Sequence, residues 1–412
     1  MWRGRMMSRR LRCSNIVSNF VPTPEFFMRT LFRYLGAALL AASAAAQADV
    51  VVGIDLGTTG PGAAIGMPTK DTVLMWPRKL GDQIARYVLL DDASDVTSAV
   101  RNVRKLIDEY KVDVIVGPNL TPNALASLDA AAESGTPMVV LAASASIVEP
   151  QSDPKRRWAF KMPQNDSLMA QALGEHMKKT GVKTAGFIGF ADAYGDSWWN
   201  EFAAAAKANG IEVVAAERYQ RNDTSVTGQV LKLISANPDA ILVAGSGAPA
   251  VLPQKTLVER GYQGKIFQTH GIASPQFLQI GGKDVEGTFF PTGPVVVARE
   301  LPSNHPVRDV AVDFVERYEA KYGPGTVTQF AGDAWGAWML LNDAVRRAKD
   351  TGAEPGTPAF RSALRDALES TKDLVVPNGV LNISAEDHQG FDARARVMGV
   401  VRDGKFTYAP DQ

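Results

Sequence analysis

Cysteine is almost absent from this chain: of 412 residues, only Cys13 is one. A disulfide framework and a thiol-based zinc or redox motif are excluded, since each needs at least a pair of thiols. An excess of charge of one sign is also missing, with 44 Lys and Arg against 44 Asp and Glu. Binders of nucleic acid held by phosphate contacts carry a basic stripe, and no Lys/Arg-rich run follows residue 33, so nucleic acid is set aside as a partner. The four histidines, His176, His270, His305 and His388, show no metal-ligand spacing. No Gly-x-Ser-x-Gly nucleophile elbow occurs; Gly245-Ser246-Gly247 is the nearest serine turn and lacks the flanking spacing. Without a nucleophile, a metal set or a cofactor motif, the reading is a protein that is not an enzyme and holds no cofactor.

What is present begins with an unusual N-terminus. The first 48 residues hold Arg3, Arg5, Arg9, Arg10, Arg12, Arg29 and Arg33 against the single acid Glu25, then an apolar run from Leu35 to Ala42 and the small-x-small site Ala46-Gln47-Ala48. That order is a secretory signal peptide cut after Ala48, and the apolar run falls short of the roughly 20 residues that span a bilayer. Met28 is a better signal start than Met1, which makes residues 1–27 a candidate mis-assigned extension. Removal of residues 1–48 leaves 37 basic and 43 acidic residues and takes Cys13 with it, so the exported chain is mildly acidic and free of thiols. No lipid-acceptor cysteine stands at the cut, and the product is expected free in the periplasm.

Beyond Asp49 apolar strands alternate with amphipathic helices. Val50 to Ile54, Tyr87 to Leu90, Val112 to Val116 and Met138 to Leu141 are strand-like, and a helix over 94–110 places Val96, Val100, Val103, Leu106 and Ile107 on one face. The pattern restarts after Met162-Pro163, with strands at 184–189, 211–215, 240–244 and 265–269 and a helix from about Ser197 to Asn209. Helices dominate from Pro294 to Ser370 before a closing strand at 396–401. Alternation of this kind gives parallel sheets of βαβ units, and two of them place a cleft at the carboxyl ends of their strands.

Val52-Gly53-Ile54-Asp55-Leu56-Gly57-Thr58-Thr59 resembles the first phosphate loop of actin-like ATPases, but no second Asp-Leu-Gly-Gly loop follows. Gly57, Gly60 and Gly62 miss the dinucleotide spacing and read either as a tight turn or as a close backbone approach to a ligand. Gly117-Pro118-Asn119-Leu120-Thr121-Pro122 puts a hydroxyl and free amides at a helix start, and Ala142-Ala143-Ser144-Ala145-Ser146 follows the next strand in the same manner. Each alone is an ordinary cap; both on one sheet edge point to carboxylate recognition. The pair Trp198-Trp199, and Trp335 with Trp338, read as packing.

In order along the chain, Leu90-Asp91-Asp92-Ala93-Ser94-Asp95, Val114-Ile115-Val116-Gly117-Pro118, Gly135-Thr136-Pro137-Met138, Ala191-Asp192-Ala193-Tyr194-Gly195 and Phe330-Ala331-Gly332-Asp333-Ala334-Trp335 resemble the branched-chain amino-acid type of periplasmic substrate-binding protein, the receptors of ABC importers. The resemblance implies an α/β type I periplasmic-binding-protein fold: two Rossmann-like lobes with parallel sheets, joined by three hinge crossovers near 162–166, 291–295 and 378–383. It assigns 49–164 and 294–379 to lobe one, and 165–293 and 380–412 to lobe two. A small-molecule ligand, an ABC transporter membrane permease as partner and a monomeric state come with it. By matched position the ligand carboxylate meets Thr121, Ala143 and Ser144 or Ala145, Tyr194 closes over it, Phe330 is a wall, and Ser246 or Gly247 lies in a further cleft loop. The acid that takes an amino acid's ammonium in this family matches His270, and an imidazole cannot replace it with full charge pairing. An aromatic or aliphatic acid, or a keto acid, is therefore expected over an α-amino acid. The rivals are a branched-chain amino-acid binder, a sensor or regulator of the same fold and, from another class, a periplasmic hydrolase.

Overall fold

The computed structural model describes residues 49–409; the expected signal peptide and its cleavage site lie outside them. The chain opens with β1 (Val50–Leu56), α1 (Ala63–Val73), the short β2 (Lys79–Leu80), β3 (Gln83–Asp91), α2 (Val96–Asp108), β4 (Val114–Val116), α3 (Thr121–Ser134), β5 (Met138–Val140) and β6 (Ala159–Lys161). These strands form one sheet in the order β2-β3-β1-β4-β5-β6, parallel except for β2. β4 and β5 are buried throughout and β1 nearly so, which is why they read as unbroken apolar runs without alternation: a sheet covered on both faces has no wet side. α2 starts where Asp95 accepts the Ser98 N–H at 2.8 Å, and it buries Ala99, Val103 and Leu106. Val96, placed on that buried face by periodicity, is 39% exposed because it occupies the first turn, beyond the reach of the sheet.

A second sheet takes β7 (Thr184–Phe190), β8 (Glu212–Tyr219), β9 (Ala240–Ala244), β10 (Lys265–Gln268) and β11 (Phe289–Thr292), interleaved with α4 (Asp166–Lys179), α5 (Ala193–Ala208), α6 (Thr227–Ser235), α7 (Val251–Glu259) and α8 (Pro275–Gly281). Three helices follow, α9 (Arg308–Tyr322), α10 (Gln329–Asp350) and α11 (Pro358–Glu369), then a hairpin of β12 (Leu374–Val376) and β13 (Gly379–Leu381). The chain then adds β14 (Val397–Arg402) and β15 (Lys405–Tyr408) antiparallel to the edge at β11, giving the order β15-β14-β11-β10-β9-β7-β8.

Two differences from the sequence reading matter for the site. Strand β8 runs to Tyr219, four residues past the expected end at Ala215, and α5 starts at Ala193 instead of Ser197, capped by Asp192, whose carboxylate accepts from Tyr194 N and Gly195 N. The third crossing is also later than 378–383. Leu381, Ile383, Phe391 and Ala395 pack in the core of the first sheet with Phe160 and Leu368, so the chain returns to the second sheet only between Ala395 and Val397. The apolar residues of 380–395 are spaced irregularly and carry no period from which that packing could be read.

The crossings share one buried polar knot. Gln164 Nε2 donates to the carbonyls of Asn378 (3.2 Å) and Ala395 (2.8 Å), and Gln329 Nε2 donates to Gln164 Oε1 (3.1 Å). Gln329 Oε1 in turn accepts from Thr292 Oγ1 and Gly293 N, while Asn378 Nδ2 donates to Asp333 Oδ1 at 2.6 Å. Buried amides satisfied on both sides in this manner fix one arrangement of the three connecting segments.

Candidate functional site

A pocket with an empty volume of about 390 Å³ lies at the carboxyl ends of both sheets. From the first sheet come Ile65, Asn119, Leu120, Thr121, Leu141, Ala142 and Ala143; from the second, Tyr194, Arg221, Ser246, His270 and Gly271; Pro163, Gln329, Phe330 and Asp333 close it at the hinge side. The mix of apolar walls with a few polar groups is typical of small-molecule sites.

On the first lobe, recognition groups are delivered by a helix start. Gly117 has φ 98°, and a Cβ there would strike the Asp55 carbonyl, so glycine lets β4 turn tightly into α3. Asn119 Oδ1 accepts from Gly57 N at 2.8 Å, which leaves its Nδ2 buried without a partner. Thr121 Oγ1 is likewise buried and unpartnered. Two free donors thus stand beside the first-turn N–H groups of α3, where the helix dipole favours negative charge. The glycine turn at 57–62 has a structural role: Gly57 N and Gly62 N are taken by Asn119 and Ser94, and none of the three glycines lines the pocket.

The second lobe contributes side chains. The Tyr194 hydroxyl is already engaged with Thr269 Oγ1 at 2.8 Å, so Tyr194 offers its ring to the pocket. Burial, reinforced by the positive charge of Lys161, pushes the His270 imidazole down to about 3, and it is neutral at neutral pH; its Nδ1 has no partner, and its ring lies 5.6 Å from that of Trp198. Arg221, two residues beyond β8, donates from Nε to Asp192 Oδ2 at 2.6 Å and from Nη1 to Ser246 Oγ at 3.2 Å, with its guanidinium 4.0 Å from the Phe190 ring centre.

At the hinge, Asp333 keeps Oδ2 unpartnered, and burial pushes its carboxyl up to about 7. Behind the pocket wall Lys161 is buried and donates to the carbonyls of Ala143 (2.9 Å) and Pro163 (2.6 Å), in the field of Asp166 and Asp333. Burial drives the Lys161 ammonium down and the Asp166 carboxyl up.

Of the residues picked out by sequence, the structure brings Thr121, Ala143, Tyr194, Ser246, His270 and Phe330 to one pocket. Ser144, Ala145 and Gly247 do not line it. Ser144 caps a short 3-10 turn and donates to Ser197 Oγ at 3.0 Å, across to α5; Ala145 borders a separate outer groove; and Gly247, at φ 61°, starts the turn into α7 with its N–H on Gly271 O. Each sits one or two residues past the pocket edge, where the chain has already turned away. Sequence reasoning misses Asn119, Arg221, Gln329 and Asp333. Arg221 has a usable signal, a lone arginine just after a strand end, hidden because β8 is read four residues short.

A family model described as "Periplasmic binding protein" matches residues 49–405. The chain belongs to the periplasmic binding protein family. Within it the branched-chain amino-acid type is supported by a relative from Brucella melitensis named Leu/Ile/Val-binding protein homolog 3, 25% identical over 355 residues, which cover 84% of this chain and 90% of the relative. A crystal structure of an extracellular ligand-binding receptor from Rhodopseudomonas palustris HaA2 is 45% identical, with a TM-score of 0.84, covering 88% of this chain and all of that one. A solute-binding protein of an ABC transporter from R. palustris, solved in complex with benzoate, shares the fold with a TM-score of 0.75 at 22% identity over 88% of this chain and 96% of its own. This periplasmic binding protein therefore has the type I fold. Membership implies a periplasmic location, and no helix among the described residues is long and apolar enough to cross a membrane.

Proposed function

We propose that this periplasmic binding protein captures a small carboxylate between its lobes and delivers it to an ABC permease. The observation that carries the reading is the convergence of Asn119 Nδ2 and Thr121 Oγ1, both buried and without partners, at the α3 N-terminus on the lobe-one wall of the pocket. Unmet donors beside a helix start are complementary to carboxylate oxygens. Neutral His270 supplies no countercharge to an ammonium, and Asp192 of the second lobe is taken by Arg221. An aromatic or aliphatic acid or a keto acid fits this set; that a neighbour of the same fold was solved with benzoate is in keeping with it.

A second reading, a branched-chain amino acid, is favoured by Asp333, whose free oxygen could accept an ammonium once its proton is lost. A thermal-shift screen of ligand-free protein separates the two. A hundredfold excess over Kd adds about 2.7 kcal/mol to stability, so stabilisation by acids that lack an amino group, and not by leucine, supports the first reading. Stabilisation by leucine, isoleucine or valine alone overturns it in favour of the second, and no response to either set removes the carboxylate from both.

A further inference from the structure

We infer that Arg221 is a specificity-determining residue of this pocket, and that the ligand bears a second acceptor oxygen on its apolar body, apart from the carboxylate held at α3. The inference rests on the carboxylate reading above and adds the chemistry of the ligand's other end. Arginine stays charged when buried and presents its N–H groups in a planar fork. Here Nε is spent on Asp192 and Nη1 on Ser246, while Nη2 has no hydrogen bond to any described residue. The fork is fixed in advance. Asp192 is itself held by the first turn of α5, through Tyr194 N and Gly195 N, and the guanidinium lies over the Phe190 ring. A pre-oriented donor at the pocket wall, on a side chain 16% exposed, discriminates because a ligand that covers it without a matching acceptor leaves it desolvated and unpaired.

Net charge narrows the class. Asp192 already neutralises the guanidinium, so the remaining N–H asks for an acceptor and does not require a full negative charge. Phenolic, keto and carboxylate oxygens all qualify. Donors on the first lobe, Asn119 and Thr121, form a separate set on a different element, and the packed side chains of Ile65, Leu120 and Phe330 line the same pocket as an apolar surface for the body of the ligand. The ligand class is thus a carboxylic acid with an apolar body and a distal oxygen.

The test is calorimetric titration of the full, ligand-free chain with matched pairs, benzoate against 4-hydroxybenzoate and hexanoate against adipate. We expect the distal-oxygen member of at least one pair to bind tenfold tighter or more, and Arg221→Met to erase that preference. Ser246→Ala, which leaves the Asp192 contact intact, reduces the preference severalfold and serves if Arg221→Met does not fold. A preference that survives both substitutions, or a wild type that favours the plain acids, overturns the assignment even though carboxylates bind. If no acid of either kind binds, the carboxylate reading itself has failed, and this inference falls with it. Were Arg221 only a prop for Asp192, both members of a pair would weaken equally along with the melting temperature, which also counts against it.

Discussion

The two lobes furnish the pocket by different means. Lobe one presents a helix start, two small polar side chains beside it and the aliphatic groups of Ile65, Leu120 and Leu141; lobe two presents long polar and aromatic side chains, Tyr194, Arg221 and His270, from the ends of its strands. Backbone donors and short side chains are set by the path of the chain, so the lobe-one wall is fixed by the fold itself. Long side chains reach in from loops and can be exchanged without rebuilding a strand, so lobe two is where a family of one fold can change its ligand.

The strongest way to break this comparison is to remove the group that braces the first lobe from behind. Lys161 Nζ holds the carbonyls of Ala143 and Pro163 and is the buried cation facing Asp166 and Asp333. In Lys161→Met those carbonyls lose a donor and the two acids lose a buried amine, a loss of about 3–5 kcal/mol by the general behaviour of half-removed buried pairs. Urea denaturation should show it as a lower midpoint with an unchanged slope. A midpoint within about 0.5 kcal/mol of wild type would mean that Lys161 is neutral and dispensable.

Thr121→Val addresses recognition alone. The hydroxyl has no partner in the ligand-free protein, so its replacement by a methyl of the same shape should leave stability unchanged or slightly raised. Affinity for a carboxylate should fall by about 1.5–3 kcal/mol, the contribution of a hydrogen bond to a charged group. Titration against the best acid from the screen, with melting as control, checks both halves. An unchanged affinity would move the carboxylate away from α3.

How legible each lobe is in sequence follows from the same contrast. The parallel sheets, the cleft and the place of Thr121 at the start of α3 are readable because buried strands appear as apolar runs and a helix start after a glycine turn has a local signature at Gly117-Pro118 and Thr121. Arg221 and Asp333 are harder to read. One lies past a half-buried edge strand whose polar residues Glu217 and Arg218 blur its end, and the other sits among apolar neighbours of α10 that read as core. Asp333 gives the pocket an acid on the hinge side, a place that matched position on lobe two alone does not reach. The knot of Gln164, Gln329 and Asn378 joins residues more than 200 positions apart, |i−j| reaching 214 for Gln164 and Asn378, and no local pattern encodes such a pairing.

His270 sharpens the lobe-two side through pH. Its folded value of about 3 lies below the ordinary 6.5, so the unfolded chain takes up a proton that the folded chain refuses. The stabilising effect of the neutral imidazole is therefore complete above about pH 6.5 and is lost as pH falls toward 3. His270→Asn should flatten the fall in denaturation midpoint between pH 6.5 and 4 relative to wild type. Identical slopes for the two proteins would place the imidazole in contact with water. Asp333 acts in the opposite sense, since its raised value makes the folded chain hold a proton longer than the unfolded one, with stability lost as pH rises from about 4 to 7. The comparison with wild type cancels that contribution.

The smallest expected effect concerns what keeps the lobes together. Ser144 turns away from the pocket to donate to Ser197 on α5, and Ser197 donates to the buried Asp166 at 2.7 Å, a relay that runs from lobe one to the start of lobe two. Because the Ser144 contact bridges the two lobes outside the pocket, Ser144→Ala should act on the opening equilibrium and not on the pocket. A neutral hydrogen bond contributes about 1 kcal/mol, which shifts closure roughly fivefold and weakens every ligand by the same factor. Uniform weakening across acids of different shape, with the order of preference preserved, would assign Ser144 to closure; a change in that order would return it to the ligand.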